Sequence, residues 1–221
     1  MESLIQNIAI YALPVIFAIT LHEAAHGYVA RHFGDQTAWS LGRVSLNPMR
    51  HIDPIGTIVV PLVILLATKG NFVFGWAKPV PVNFGSLRNP KRDMRWVAAA
   101  GPAANLAMAL IWATCLKVLT LGAGTDNVFL LEMAQAGVLT NIIFMLFNLL
   151  PILPLDGGRV VFSMLPNRLA FEYAKLERFG FPILIGLLVL GQFGINIIGW
   201  IVTPLLILSL RLFAIIFQIQ V

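Results

Sequence analysis

The chain has 221 residues, 58% of them hydrophobic and only 11% Asp, Glu, Lys or Arg, against about 25% charge in an ordinary soluble domain. That balance excludes a water-soluble globular protein and reads as an all-α polytopic membrane protein in a lipid bilayer. The net charge of +5 does not point to nucleic acid, because Lys and Arg collect between apolar runs instead of forming a basic stripe interleaved with aromatics.

The first apolar run, residues 4–30, exceeds the roughly 20 residues needed to cross a hydrocarbon core. It lacks the basic n-region and small-residue cleavage site of a signal peptide and is expected to be retained. Its end carries His22-Glu23-Ala24-Ala25-His26, an HExxH motif. On a helix the two histidines fall at i and i+4 on one face, where they can share a Zn²⁺ ion with the glutamate beside it as general base. Ionisable groups at membrane depth are costly to keep without a use, so the setting strengthens a motif that is weak alone.

Residues 33–54 and 71–90 are rich in Gly, Pro, Asn and β-formers, as in Trp39-Ser40-Leu41-Gly42-Arg43-Val44-Ser45-Leu46 and Phe72-Val73-Phe74-Gly75-Trp76, and read as short strands and turns. Such strands must lie at the interface or line a protein cavity, since open edges cannot face lipid. Between them, residues 55–68 with Pro61 form an apolar run too short for a clear span: a short crossing, a re-entrant piece or a helix buried by its neighbours. Lys69, Lys78, Arg88, Lys91, Arg92 and Arg95 in one loop, and Arg168, Lys175 and Arg178 in a later linker, are expected on the cytoplasmic side. Arg31, Arg43 and Arg50 also look cytoplasmic, which leaves the orientation of the first half open.

Further spans are expected over residues 96–119, 128–150, 179–193 and 195–216, the last two forming a helical hairpin, for about five to six transmembrane helices in all. The one cysteine, Cys115, lies in an apolar run and excludes an intrachain disulfide. Zinc needs a third protein ligand beyond the two histidines. The candidate is Asp156 in Asn148-Leu149-Leu150-Pro151-Ile152-Leu153-Pro154-Leu155-Asp156-Gly157-Gly158-Arg159, where two prolines break the preceding helix and irregular backbone can line a site. Asp156 reads equally as the N-cap of the next helix. Gly101, Ala103 and Ala104 read as small-residue helix packing.

HEAAH followed far downstream by NLLPILPLDGGR, with Gly101-Pro102-Ala103-Ala104-Asn105 between them, resembles the site-2 protease family of intramembrane zinc metalloproteases over most of residues 15–165. The resemblance implies one membrane-embedded domain over residues 1–221, with a three-helix catalytic core within about residues 4–165 and the C-terminal hairpin near 179–217. It implies His22, His26 and Asp156 as zinc ligands, Glu23 as the base, and Asn148 near the substrate or the zinc. Asn105 belongs to the GPxxN element and is either a further contact of this kind or an interhelical hydrogen bond. The implied partner is a membrane protein with a transmembrane segment, presented in extended form by the loops around the site. No PDZ-like or nucleotide-binding module is expected, and the implied setting is a prokaryotic plasma membrane. The rival reading is a membrane metal-binding or transport protein that uses the same His and Asp side chains.

Overall fold

A computed structural model describes residues 2–67, 75–121 and 127–219. Helix α1 runs Glu2–His32, past an internal Pro14. It ends at Gly34, whose φ of +112° lets Gly34 N–H reach Arg31 O and Asp35 N–H reach Ala30 O, a left-handed stop that a side chain would strain. A one-turn helix α2, Thr37–Ser40, is followed by a second left-handed glycine, Gly42 at φ +63°.

The strand expected at residues 39–46 is thus replaced by a turn. Leu41, Gly42 and Arg43 donate to Thr37, Trp39 and Ala38 carbonyls, which engages locally the donors that a ladder would need. No strand occurs among the described residues. Residues 75–83 run without helix and are held by isolated bonds, such as Trp76 N–H to Gly56 O and Lys78 N–H to His51 O. Thr68, Lys69 and Phe72-Val73-Phe74 lie outside the described residues.

The short apolar run becomes a π-helix, Pro54–Val59, continued by α3, Val60–Ala67. Asp53 caps it by accepting from Ile55 and Gly56 N–H. Ile55, Ile58, Val59, Leu62, Val63 and Leu66 all face outward, so burial by neighbours is excluded, and the 13 apolar residues Pro54–Leu66 fall short of a full crossing.

Helix α4, Pro90–Leu121, and α5, Val128–Asn148, pack with α1 as the central bundle. The buried face of α4 repeats every three to four residues through Val97, Gly101, Asn105, Met108, Ala109, Ala113 and Leu116, a helical stripe of small residues that lets neighbouring backbones approach. Ala134, Val138 and Ile142 of α5 pack against its Ala109, Ala113 and Leu116. Helix α6, Asp156–Met164, packs on α4, and α7, Asn167–Ala174, comes directly after it.

Helices α8, Glu177–Gln192, and α9, Ile197–Phe217, form the expected hairpin, linked at Gly194 with φ +90°. Leu184 of α8 and Ile198 of α9 pack on Leu150 after α5, while Phe213 of α9 joins the α4–α5 cluster. Among the described residues four helices, at Ile5–His32, Pro90–Leu121, Val128–Asn148 and Ile197–Phe217, are long and apolar enough to cross a membrane. Helix α8 takes up the run expected over residues 179–193 in 16 residues, and Pro54–Leu66 is a shorter apolar helix.

Candidate metal centre

Three helices bring the site together. His22 and His26 lie on α1, one turn apart, with ring centroids 4.7 Å from each other. Asp156 arrives as the first residue of α6 because Gly157 and Gly158 allow that helix to start against the 149–153 backbone: a Cβ on Gly158 would stand 2.6 Å from Leu153 N and 2.7 Å from Ile152 C. The cap position of α6 is held by Leu155, without a side-chain cap bond. The Asp156 carboxylate instead faces the two imidazoles, with Oδ2 3.2 Å from His22 Nε2 and Oδ1 3.4 Å from His26 Nε2. The metal-facing alternative, not the cap, describes its position.

Hydrogen bonds behind the rings decide what the front atoms can do. Asn141 Nδ2 donates to Gly137 O at 2.8 Å, so its Oδ1 is the atom that accepts from Asn105 Nδ2. Asn105 Nδ2 also donates to Ala18 O, which leaves Asn105 Oδ1 to accept from His22 Nδ1 at 2.6 Å. His26 Nδ1 meets a carbonyl too, Val97 O at 2.7 Å. Both Nδ1 atoms therefore carry a proton, and in the neutral imidazoles that bind a metal both Nε2 atoms present lone pairs. These lone pairs stand 3.1 Å apart, and Asp156 Oδ2 beside them is buried without a hydrogen-bond partner. Three acceptors converge with no donor between them, an arrangement that a cation satisfies.

The spacing matches zinc. Ligands about 2.0–2.1 Å from a tetrahedral ion stand about 3.3 Å from one another; the two Nε2 atoms are 3.1 Å apart, and each meets a different oxygen of the Asp156 carboxylate, His22 at 3.2 Å from Oδ2 and His26 at 3.4 Å from Oδ1. Gly101 of α4 supplies room: a Cβ there would lie 2.5 Å from His26 Nε2 and from His22 Cε1, and 2.6 Å from His22 Nε2. His22, His26 and Asp156 form the one group of three or more His, Cys, Asp or Glu side chains among the described residues that could hold a metal. The residues fit the ion, and α1, α4 and α6 each contribute to the fit.

Glu23 stands next to this cluster, and its Oε2 accepts from Val80 N–H at 2.7 Å. Asn105 is fully buried behind His22, so it acts on the ring and not on an open cleft. Asn148, at the end of α5, donates to Phe144 O and lies outside the cluster. Sequence reasoning missed Asn141 and Val80. Asn141 leaves a faint signal as an amide in an apolar helix; Val80 leaves none in its side chain, because its backbone makes the contact. Arg159 pairs with Glu177 at 3.2 Å.

Asn141→Ala removes the acceptor that orients Asn105 and frees the amide to turn. Loss of an outer partner of this kind is expected to weaken zinc binding about 10- to 100-fold, measured by competition with a chelator of known affinity.

The model for peptidase family M50 matches residues 123–191, the stretch that holds Asn141, Asn148 and Asp156. The chain is similar to the protein named "Putative zinc metalloprotease YwhC" of Bacillus subtilis, 36% identical over 186 residues, covering 80% of this chain and 78% of that protein. It is also similar to "Putative zinc metalloprotease Rip2" of Mycolicibacterium smegmatis, 29% identical over 174 residues, covering 79% of this chain and 64% of that one. The Mycobacterium tuberculosis protein of the same name is 28% identical over 148 residues, covering 64% and 52%. No solved structure matches the chain. With a relative of this identity aligned over most of both chains, and a donor set whose spacing suits zinc, the chain belongs to peptidase family M50, the site-2 protease family.

Proposed function

We propose that this protein is a zinc endopeptidase that hydrolyses peptide bonds in or next to the transmembrane segments of other membrane proteins. The observation that carries the reading is the convergence of His22 Nε2, His26 Nε2 and the Asp156 carboxylate, all acceptors, beside a glutamate. His22 and His26 lie within α1, a helix long and apolar enough to cross a membrane, which supports a site at or within the bilayer. The relatives named as zinc metalloproteases support the same chemistry.

In the proposed mechanism His22, His26 and Asp156 would hold the ion, which when bound would supply Lewis acidity toward water and the scissile carbonyl. Glu23 takes the proton of the attacking water and delivers it to the departing amine. Its Oε2 is engaged by Val80 N–H, so Oε1 is the oxygen left for these transfers. Asn105 and Asn141 keep His22 in the Nδ1–H form with Nε2 forward. Asn148, which adjoins the 149–155 turn, is assigned contact with substrate in this reading. A helical substrate has its carbonyls engaged in its own backbone bonds, so it has to unwind locally before attack.

The test is elemental analysis of detergent-purified protein beside cleavage of a single-span membrane protein in vesicles, with the cut mapped by mass spectrometry. One zinc per wild-type chain, loss of zinc in Asp156→Ala and a cut in or beside the span are the expected results. Full zinc in Asp156→Ala would remove Asp156 from the ligand set, and cuts confined to regions far from the membrane would overturn the intramembrane reading. Zinc uptake into sealed vesicles would support the transport reading instead.

A further inference from the structure

The backbone amide that meets Glu23 is presented by a device of its own, whose role in catalysis rests on the reading of Glu23 as the base. Val80 stands between Pro79 and Pro81. Proline has no N–H, so residues 79–81 carry a single backbone donor, and it is engaged by Glu23 Oε2 at 2.7 Å. Each proline also biases the residue before it toward extended backbone, which covers Lys78 and Val80. The register is held on both sides: Lys78 N–H donates to His51 O at 2.9 Å, and Asn83 N–H donates to Asp35 Oδ2 at 2.7 Å. Asp35 is buried and its Oδ1 accepts from Thr37 N–H and Oγ1. Gly27, one residue after the HExxH motif, opens the approach, since a Cβ there would lie 2.7 Å from Val44 Cγ2 and 3.2 Å from Val80 Cγ1.

Arg43 completes the arrangement. Its Nη2 donates to Lys78 O at 3.0 Å and to Pro79 O at 3.2 Å. The Pro79 carbonyl and the Val80 N–H belong to one planar peptide group. Arg43 therefore holds the oxygen end of the amide whose nitrogen end holds Glu23. A cation at the carbonyl and a carboxylate at the N–H both favour the same polarisation of that amide, so the two charge-assisted bonds strengthen each other. The prolines leave residues 79 and 81 without donors, which makes this segment a poor edge for pairing with a substrate strand and a good brace.

We propose that Arg43 is a positioning residue for the base: acting through the Pro79–Val80 peptide group, it fixes the Glu23 carboxylate with one oxygen tied and the other turned to the reacting water. The experiment is hydrogen–deuterium exchange read by mass spectrometry on the zinc-loaded full chain in detergent. Across residues 79–81 the exchange reports the Val80 amide alone. The wild-type amide is expected to exchange slowly, Glu23→Ala and Arg43→Ala each to release it, and Arg43→Lys, which keeps a cation able to reach the same carbonyls, to restore much of the protection.

Kinetics on fluorescein-labelled casein, an unfolded general protease substrate, separate positioning from loop support. Arg43→Ala should lose about 10- to 100-fold in kcat with KM unchanged and one zinc per chain, and Arg43→Lys should recover most of that loss. A protected Val80 amide in Arg43→Ala, an unchanged kcat, or a loss that appears in KM alone would overturn the proposal. A fully active Glu23→Gln protein would instead overturn the assignment of the base, whatever Arg43 does.

Discussion

A Glu23→Gln protein is expected to bind one zinc per chain, as the wild type does, and to cleave about 100- to 10,000-fold more slowly, the range that general acid–base catalysis contributes. The two halves of this result have separate causes. Glutamine keeps the shape of the side chain, and its carbonyl oxygen can still accept from Val80 N–H, the bond that Oε2 makes at 2.7 Å. Glu23 is not one of the three converging acceptors, so the ion should not notice the change. What disappears is the ability to take a proton from water and hand it on. Zinc analysis and the cleavage rate, measured on the same preparation, check both halves; a normal rate would remove Glu23 from the mechanism.

Gly101→Ala is the second large effect, and its sign runs against intuition. Alanine is favoured over glycine inside a helix by about 1 kcal/mol, and Gly101 lies within α4, so helix propensity alone would call the change stabilising. The added methyl, however, would stand 2.5 Å from His26 Nε2 and 2.6 Å from His22 Nε2, well inside van der Waals contact and on the side where the ion belongs. The rings can give way only by leaving Asn105 Oδ1 and Val97 O, which hold their far sides. The expected protein keeps its helix content by circular dichroism, carries little or no zinc and has no peptidase activity. Full zinc occupancy in Gly101→Ala would show that α4 stands farther from the site than the structure has it.

These two residues mark the limits of what the sequence discloses. Glu23 is legible because HExxH is contiguous: one helix turn carries the whole pattern, and the apolar context removes the bland reading of a solvated face. Asp156 is legible only by asking for a third ligand, since nothing local separates a ligand from a helix cap; in the structure Leu155 takes the cap position and the Asp156 carboxylate faces the two imidazoles. Gly101 reads as packing, and packing is what it does, but against ligand side chains instead of a bare helix. That depends on the register of α4 against α1, which is a tertiary quantity. The strand pattern at residues 39–46 misleads because Gly42 turns the chain after β-forming residues, and local turn bonds take precedence over a ladder with no partner strand. The span count depends on run length: among the described residues four helices are long and apolar enough to cross, and α8 with 16 residues lies at the lower edge of what a crossing needs.

The amide chain from Gly137 O through Asn141 and Asn105 to His22 runs in one direction, each carboxamide donating from its nitrogen toward the Gly137 end and accepting at its oxygen from the His22 end. The choice of imidazole tautomer is therefore made when the bundle packs, before any ion arrives. An unbraced histidine would have to select its tautomer and ring orientation at the moment of binding and would lose affinity by the entropy of that selection. Here the folding of α5, a helix that gives the ion no ligand, has already removed that freedom, and part of the affinity for the metal is stored in the packing of two asparagines.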